Sequence, residues 1–98
     1  MKPEHKKFLA QYGNKEHLDE LVKDNNWGIR YHVAQNPNLT KEHLNRLIND
    51  PDTEVRSNVA QNPNLTKEHL DKLVNDEDGI IRYLAKSHPK AQEYGVDK

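Results

Sequence analysis

Apolar side chains recur along this chain with the spacing of short helices. Leu44, Leu47 and Ile48 stand at positions i, i+3 and i+4, which is the spacing of one face of an α-helix. Thr40 precedes them at a position suited to an N-cap, and Pro51 follows them after two further polar residues. The pattern therefore predicts one short amphipathic helix between these two boundaries.

The same pattern occurs on both sides of this segment, and a narrower apolar stripe alternates with it. Each narrow stripe ends before an Asn-Pro pair, because a residue that precedes proline is pushed away from the helical region. Helices this short are unstable alone, so they must pack on one another. The wide stripes are Leu18, Leu21 and Val22, then Leu70, Leu73 and Val74, and the narrow ones are Ile29, Val33 and Ala34, then Val55, Val59 and Ala60.

An internal repeat explains this alternation. Residues 30–55 and 56–81 are identical at 17 of 26 positions, and the same frame extends backwards over 14–29 and forwards over 82–89. The chain therefore contains about three units of 26 residues, each with two short helices. Units that pack only on their neighbours form a solenoid.

The repeated residues resemble a known family. Paired leucines, an aspartate and then Arg-x-x-Val-Ala-x-Asn-Pro are similar to the leucine-rich repeat variant, a right-handed helical solenoid without strands that is related to HEAT repeats. The resemblance covers about 14–89 and implies an all-α fold in which the second element of each unit is either an α-helix or a 3₁₀ turn. One member of that family holds an iron–sulfur cluster through cysteines, which this chain lacks. The resemblance therefore implies no such cofactor here.

These patterns give one domain over 1–98. A helix within 1–13 is expected to cap the N-terminal side, the repeats occupy 14–89, and 90–98 forms a C-terminal cap or tail. Lys86 replaces the alanines of the other units, Ala34 and Ala60, which indicates that no further unit stacks there. We expect a short right-handed α-solenoid of about three two-helix units with terminal caps, made of about seven helices.

Composition is consistent with this thin, extended core. Leu, Ile, Val and Phe together make 21 of 98 residues, while a net charge of −1 lacks the repulsion that is typical of disordered chains. The absence of Cys excludes disulfides, thiolate metal sites and a thiol nucleophile. No apolar run has signal-peptide length or approaches the roughly 20 residues that span a bilayer. We therefore expect a cytoplasmic monomer without membrane contact.

Aspartate and arginine form two further repeated columns. In each unit the two residues are six positions apart, which places the carboxylate at the end of the first helix and the guanidinium in the first turn of the second. One interpretation is an internal ladder in which Asp accepts hydrogen bonds from Arg and from backbone amides, and the other is an arginine row that binds an anion. Buried arginine requires paired acceptors, which favours the ladder. Its members are Asp24, Arg30, Asp50, Arg56, Asp76 and Arg82.

Candidate chemistry is sparse. His17, His43 and His69 share one repeat column, so they are roughly 8 to 10 Å apart, whereas zinc ligands lie about 2 Å from the ion. Three positions after an N-cap, they are expected to form hydrogen bonds at the helix start or to be solvated. The sequence contains no phosphate-binding glycine loop and no activated nucleophile motif. We expect no enzymatic activity, no metal and no cofactor.

The second helices offer the best candidate for a binding surface. If Ile29, Val33 and Ala34 face the core, then Tyr31 and Gln35 point away from it. Exposed aromatic residues are typical anchors of protein interfaces, although the same aromatics could instead pack flat on the fold. The candidate residues are Trp27, Tyr31, His32, Gln35, Asn58, Gln61, Tyr83 and Leu84.

This surface predicts a non-catalytic module that binds another protein. An inhibitor or immunity-type protein that covers the surface of a partner enzyme is the first alternative. A HEAT-like reader of nucleic acid is the second, although the chain carries Tyr31, Gln35 and Gln61 where phosphate binding requires Arg or Lys. We therefore expect no nucleic-acid partner.

Overall fold

The computed structural model describes residues 2–95, and within them the chain is all-helical, with eight α-helices and no strand. One helix more is present than the sequence predicted, and the second element of each unit is an α-helix. Part of the predicted C-terminal cap, 96–98, lies outside the described residues. The helices are α1 (Pro3–Tyr12), α2 (Lys15–Leu21), α3 (Trp27–Val33), α4 (Lys41–Leu47), α5 (Thr53–Val59), α6 (Lys67–Leu73), α7 (Gly79–Lys86) and α8 (Pro89–Glu93).

The helices α2, α4 and α6 begin with a reciprocal cap that uses histidine. The hydroxyl oxygen of Thr40 accepts a hydrogen bond from the backbone amide of His43 at 3.3 Å, and the Nδ1 atom of His43 accepts one from the backbone amide of Thr40 at 3.0 Å. This is a capping box in which His stands where Glu or Gln is usual. The same arrangement joins Thr66 to His69 in α6, and Asn14 to the corresponding His in α2.

The helices α3, α5 and α7 begin differently. Asp52 is the N-cap of α5, and its carboxylate accepts hydrogen bonds from the backbone amides of Glu54 and Val55. Asp78 caps α7 in the same way, and Asn26 caps α3 through one amide. Because an isolated helix of seven or eight residues is unstable in water, these caps and the packing between helices must stabilise the fold together.

The core is one continuous cluster that runs through all units. The predicted apolar stripes supply most of it, and Leu44, Leu47 and Leu70 are each at most 1% exposed. Leu39 and Leu65 add to it from the connections between units, where the helical pattern assigned no core residue. Within 2–95, no helix has the length and apolar character required to cross a membrane.

The helices pack in two sets. α1, α3, α5 and α7 form a row in which each helix packs on the next, and α2, α4 and α6 lie beside this row, each against the helix that follows it. Successive helices pack more closely in the row than in the second set. α8 packs on α6 and α7, and the described part of the molecule measures 45 × 22 × 16 Å.

The first helix takes the same place in the row as the second helix of a unit. The Nε2 atom of Gln11 in α1 lies 3.2 Å from the Nδ1 atom of His32 in α3. One step along the row, the Nε2 atom of Gln35 donates to the Oδ1 atom of Asn58 in α5 at 3.4 Å. The contact between α1 and α3 therefore resembles the contact with α5, which Gln35 makes from just beyond the end of α3.

Candidate interaction surface

The arginine column joins consecutive units. The Nε atom of Arg30 donates to Oδ2 of Asp50 at 2.7 Å, and its Nη2 atom donates to Oδ1 of the same carboxylate at 3.3 Å. Its Nη1 atom donates to the backbone carbonyl oxygen of Asp24 at 2.6 Å. Arg30 therefore binds both the backbone of its own unit and the carboxylate of the following one.

Arg56 repeats this arrangement in the centre of the chain. Its Nε and Nη2 atoms donate to the carboxylate of Asp76 at 3.0 and 3.4 Å, and its Nη1 atom donates to the carbonyl oxygen of Asp50 at 2.7 Å. The carboxylate of Asp50 also accepts the backbone amide of Asp52 at 2.9 Å. The sequence suggested that each guanidinium pairs with the carboxylate six positions earlier, but that residue contributes its carbonyl oxygen instead.

The two ends of this column differ from its middle. At the first end, Lys6 replaces an arginine, and its Nζ atom lies 2.8 Å from Oδ2 of Asp24. Burial raises the pKa of the Asp24 carboxyl. Hydrogen bonds from Lys6 and from the Asn26 amide together lower this pKa by more than burial raises it, so the net shift is downward. At the other end, Nη1 of Arg82 donates to the carbonyl oxygen of Asp76 at 2.8 Å, and no carboxylate of the described chain pairs with its other edge.

A second column consists of buried asparagines, for which the sequence predicted only a role at helix ends. The Nδ2 atom of Asn62 donates to the carbonyl oxygen of Ala34 at 2.8 Å, while its Oδ1 atom accepts the backbone amide of Asn64 at 2.9 Å. Asn36 makes the equivalent bonds one unit earlier. At the third position, Nε2 of His88 lies 2.8 Å from the carbonyl oxygen of Asn62, and its Nδ1 atom accepts the amide of Lys90. The repeated Asn-Pro and His-Pro pairs were the signal for this column.

The histidine column links α2, α4 and α6. The Nε2 atom of His43 lies 2.6 Å from Oδ1 of Asp19 in the preceding unit, and that of His69 lies 2.7 Å from Oδ1 of Asn45. Burial lowers the pKa of His69, and hydrogen bonds from Lys15 and His43 lower the pKa of the Asp19 carboxyl. No group of three or more metal-ligating side chains is close enough to hold an ion in the described range.

Several residues of the predicted binding surface are accessible. Tyr83 is 68% exposed and Trp27 is 49% exposed, and Gln35 and Gln61 are also exposed. Tyr31 is partly buried against the core, and its ring meets that of Trp27 edge to face at 6.1 Å between centroids. In this aromatic pair, Tyr31 therefore packs on the core while Trp27 remains accessible to solvent.

Two predicted binding residues serve contacts between helices instead. Asn58 is only 8% exposed, and its Nδ2 atom donates to the carbonyl oxygen of Tyr31 at 2.7 Å. Because this position faces the preceding helix of the row, its side chain is not available to a partner. His32 occupies the same position in α3 and is partly buried against α1, and burial, with a smaller effect of Lys7, lowers its pKa. Leu84 is also partly buried against the core.

One exposed apolar residue of this surface was not predicted from the sequence. Ile80 is 67% exposed and stands one helical turn before Tyr83 in α7. The repeat alignment contained the signal, because the corresponding positions are Gly28 and Glu54, which the core does not require. We call Trp27, Tyr31, Gln35, Gln61, Ile80 and Tyr83 the row surface.

Comparison of the chain with protein-family models, with curated protein sequences and with solved structures gave no match.

Proposed function

We propose that this protein is a non-catalytic module that binds another protein through the row surface. The observation that carries this proposal is the exposure of Ile80 and Tyr83, side by side on α7, in a chain with few apolar residues. Large apolar side chains that a thin core leaves in solvent are typical of interface anchors. Trp27 and Tyr31 supply a second aromatic group two helices away in the same row.

The proposed architecture is a short right-handed α-solenoid of about three units, with caps at 1–13 and 90–98, like the leucine-rich repeat variant. The recurrence of the arginine, asparagine and histidine contacts from unit to unit supports the repeat. The closer packing of the row supports a concave row surface, because the more tightly packed set of helices lies on the inside of a curved array. The handedness rests on the resemblance of the repeated residues.

The first alternative, an inhibitor or immunity-type role, uses the same surface and differs only in what the partner does. A nucleic-acid role fits the row surface poorly. Its exposed members are aromatic, aliphatic or neutral amides, whereas phosphate contacts require cations. We accordingly propose a cytoplasmic, monomeric, cofactor-free protein whose partner is another protein.

Affinity capture from the native host tests this proposal. The wild-type chain is compared with Tyr83→Ala and with the pair Ile80→Ala, Tyr83→Ala, because both residues are more than half exposed and their truncation leaves the core intact. We expect the partner to be lost or weakened at least tenfold, since interface anchors of this kind cost about 2 kcal/mol or more.

Phe8 and Tyr12 provide the matched control. They are 61% and 69% exposed, and their rings lie 5.2 Å apart on α1, outside the row surface. The pair Phe8→Ala, Tyr12→Ala should retain the partner. Equal retention by all variants, with unchanged circular dichroism, would remove the row surface from the interaction, and strong salt-sensitive binding of bare DNA would replace the proposal altogether.

A further inference from the structure

The last arginine of the column is oriented like the others but has no acidic partner among residues 2–95. Nη1 of Arg82 is fixed by the carbonyl oxygen of Asp76 at 2.8 Å, compared with 2.6 and 2.7 Å for the same bond of Arg30 and Arg56. In the two earlier arginines this bond orients the guanidinium so that Nε and Nη2 donate hydrogen bonds to one carboxylate. Arg82 is exposed, and its side chain makes no such contact within 2–95.

The surroundings of Arg82 leave this edge accessible. Gly79 precedes it by three residues, and a Cβ atom added there would lie 3.3 Å from Nη2 of Arg82. The corresponding residues of the other two units are Trp27 and Thr53, so of these three positions only the one before Arg82 carries no side chain. Tyr83 stands next to Arg82 and is 68% exposed.

We propose that Arg82 is a docking point for an aspartate side chain of a partner protein, one that lies two residues before the N-cap of a helix. The chain itself supplies the template, because Asp50 and Asp76 present their carboxylates two residues before the N-caps Asp52 and Asp78. Nε and Nη2 of Arg82 then donate to the two oxygens of one carboxylate. A bidentate arginine–carboxylate pair fixes direction as well as charge.

A second copy of this chain is not the proposed occupant. If α1 of another copy packed on α7, the residues at its start would face Arg82. The N-cap of α1 is Lys2, a cation, so this contact would bring like charges together. The occupant is therefore a different protein, and the inference rests on the proposed role as a protein-binding module and extends it to the end of the row.

A peptide taken from the chain provides the probe. Residues 49–60, acetylated and amidated, contain Asp50 in the context that Arg30 binds. The full-length protein is labelled with nitrogen-15, and the Nε–H signals of its arginines are followed during titration. We expect the signal of Arg82 to shift in a saturable manner, while the signal of the exposed Arg46, which has no comparable carbonyl contact, shifts little.

Two peptides of equal net charge separate recognition from general attraction. Asp50→Asn should weaken binding about two- to fivefold, as expected for one exposed ion pair, whereas Glu54→Gln should leave it unchanged. Arg82→Lys in the protein should abolish the difference between the two peptides. Equal weakening by both changes, or equal shifts at Arg46 and Arg82, would overturn the inference. Because this readout needs no captured partner, it is independent of the test of the row surface.

Discussion

Individual side chains in this protein serve two structural purposes at once. His69 completes the cap of α6 through Nδ1 and reaches Asn45 of the preceding unit through Nε2. Asn62 likewise closes its own turn and bonds the preceding unit. With so few apolar residues, such polar side chains provide much of the specificity of packing between units.

The stability of the protein should fall as the solution becomes acidic. Burial lowers the pKa of His69 below its ordinary 6.5, so the unfolded chain takes up the proton at a higher pH than the folded chain. The free energy of unfolding is then greatest above about pH 6.5 and decreases as the pH falls through the lowered pKa. His32, whose pKa is also lowered, acts in the same direction. Urea denaturation between pH 5 and 8 measures this slope.

His69→Gln supplies a variant for that measurement. Glutamine is a usual residue at this position of a capping box, so the cap is retained while the titrating group is removed. We expect a flatter pH dependence than in the wild type, and Leu47→Ala, which removes no titratable group, is the control for a loss of stability alone. An unaltered slope in His69→Gln would mean that other groups cause the acid sensitivity.

The asparagine column predicts which replacement His88 tolerates. His88→Asn restores the residue found at Asn36 and Asn62, so the stability should change little. His88→Ala removes both the contact with the carbonyl oxygen of Asn62 and the N-cap hydrogen bond from the Lys90 amide, which together cost about 1 to 3 kcal/mol. Thermal unfolding measures the stability of both variants. An equal loss in the two would contradict the role of His88 in this column.

At the scale of the elements, short helices depend on caps and on links between units. α5 has seven residues, and Asp52 and Arg56 tie its first turn to the turn before it. Arg56 also donates a hydrogen bond to the carboxylate of Asp76, in the turn before the next helix of the row. A substitution that breaks these contacts in one unit should therefore also destabilise the next unit.

A double-mutant cycle tests this connection. Arg56→Ala removes one partner of a largely buried pair and should cost about 3 kcal/mol. The loss in the double variant Arg56→Ala, Asp76→Ala should differ from the sum of the two single losses by about 0.5 to 3 kcal/mol, because either change alone breaks the same contact. Pairing Arg56→Ala with Asp50→Ala is the control, since the Asp50 carboxylate is bound by Arg30. Larger coupling to Asp50 than to Asp76, measured by urea denaturation, would reassign the pair.

At the scale of the molecule, one thin core runs through all units and leaves little redundancy. Leu47 and Leu73, from neighbouring units, are both almost fully buried in that continuous cluster. A chain of this size is only marginally stable, so one cavity removes a large fraction of the total.

Leu47→Ala should therefore destabilise the whole protein. The expected loss is about 2 to 5 kcal/mol, from lost burial and from the cavity that remains. Ile80→Ala removes a similar side chain that is 67% exposed and should cost less than about 0.5 kcal/mol. Denaturant midpoints measured by circular dichroism compare the stability of the two variants. Equal losses of stability would contradict the assignment of Leu47 to the core.

The sequence by itself determined the all-helical structure, the positions of the helices in the repeated segments and most of the core leucines. These features are local or periodic: a threonine caps the helix that follows it, and leucines at i, i+3 and i+4 must share a face wherever that helix packs. Proposals about the partner and about solenoid architecture remain predictions.

The tertiary structure alone decided which polar side chains meet. The sequence placed Asp50 and Arg56 six positions apart, but the carboxylate of Asp50 binds Arg30, which is 20 residues away. It also placed Asn58 on the predicted binding surface, whereas the preceding helix covers it. In a repeat every unit offers the same polar groups, so spacing along the chain cannot distinguish a partner within a unit from its equivalent in the next. Only the packing of consecutive helices brings one of the two within hydrogen-bond distance.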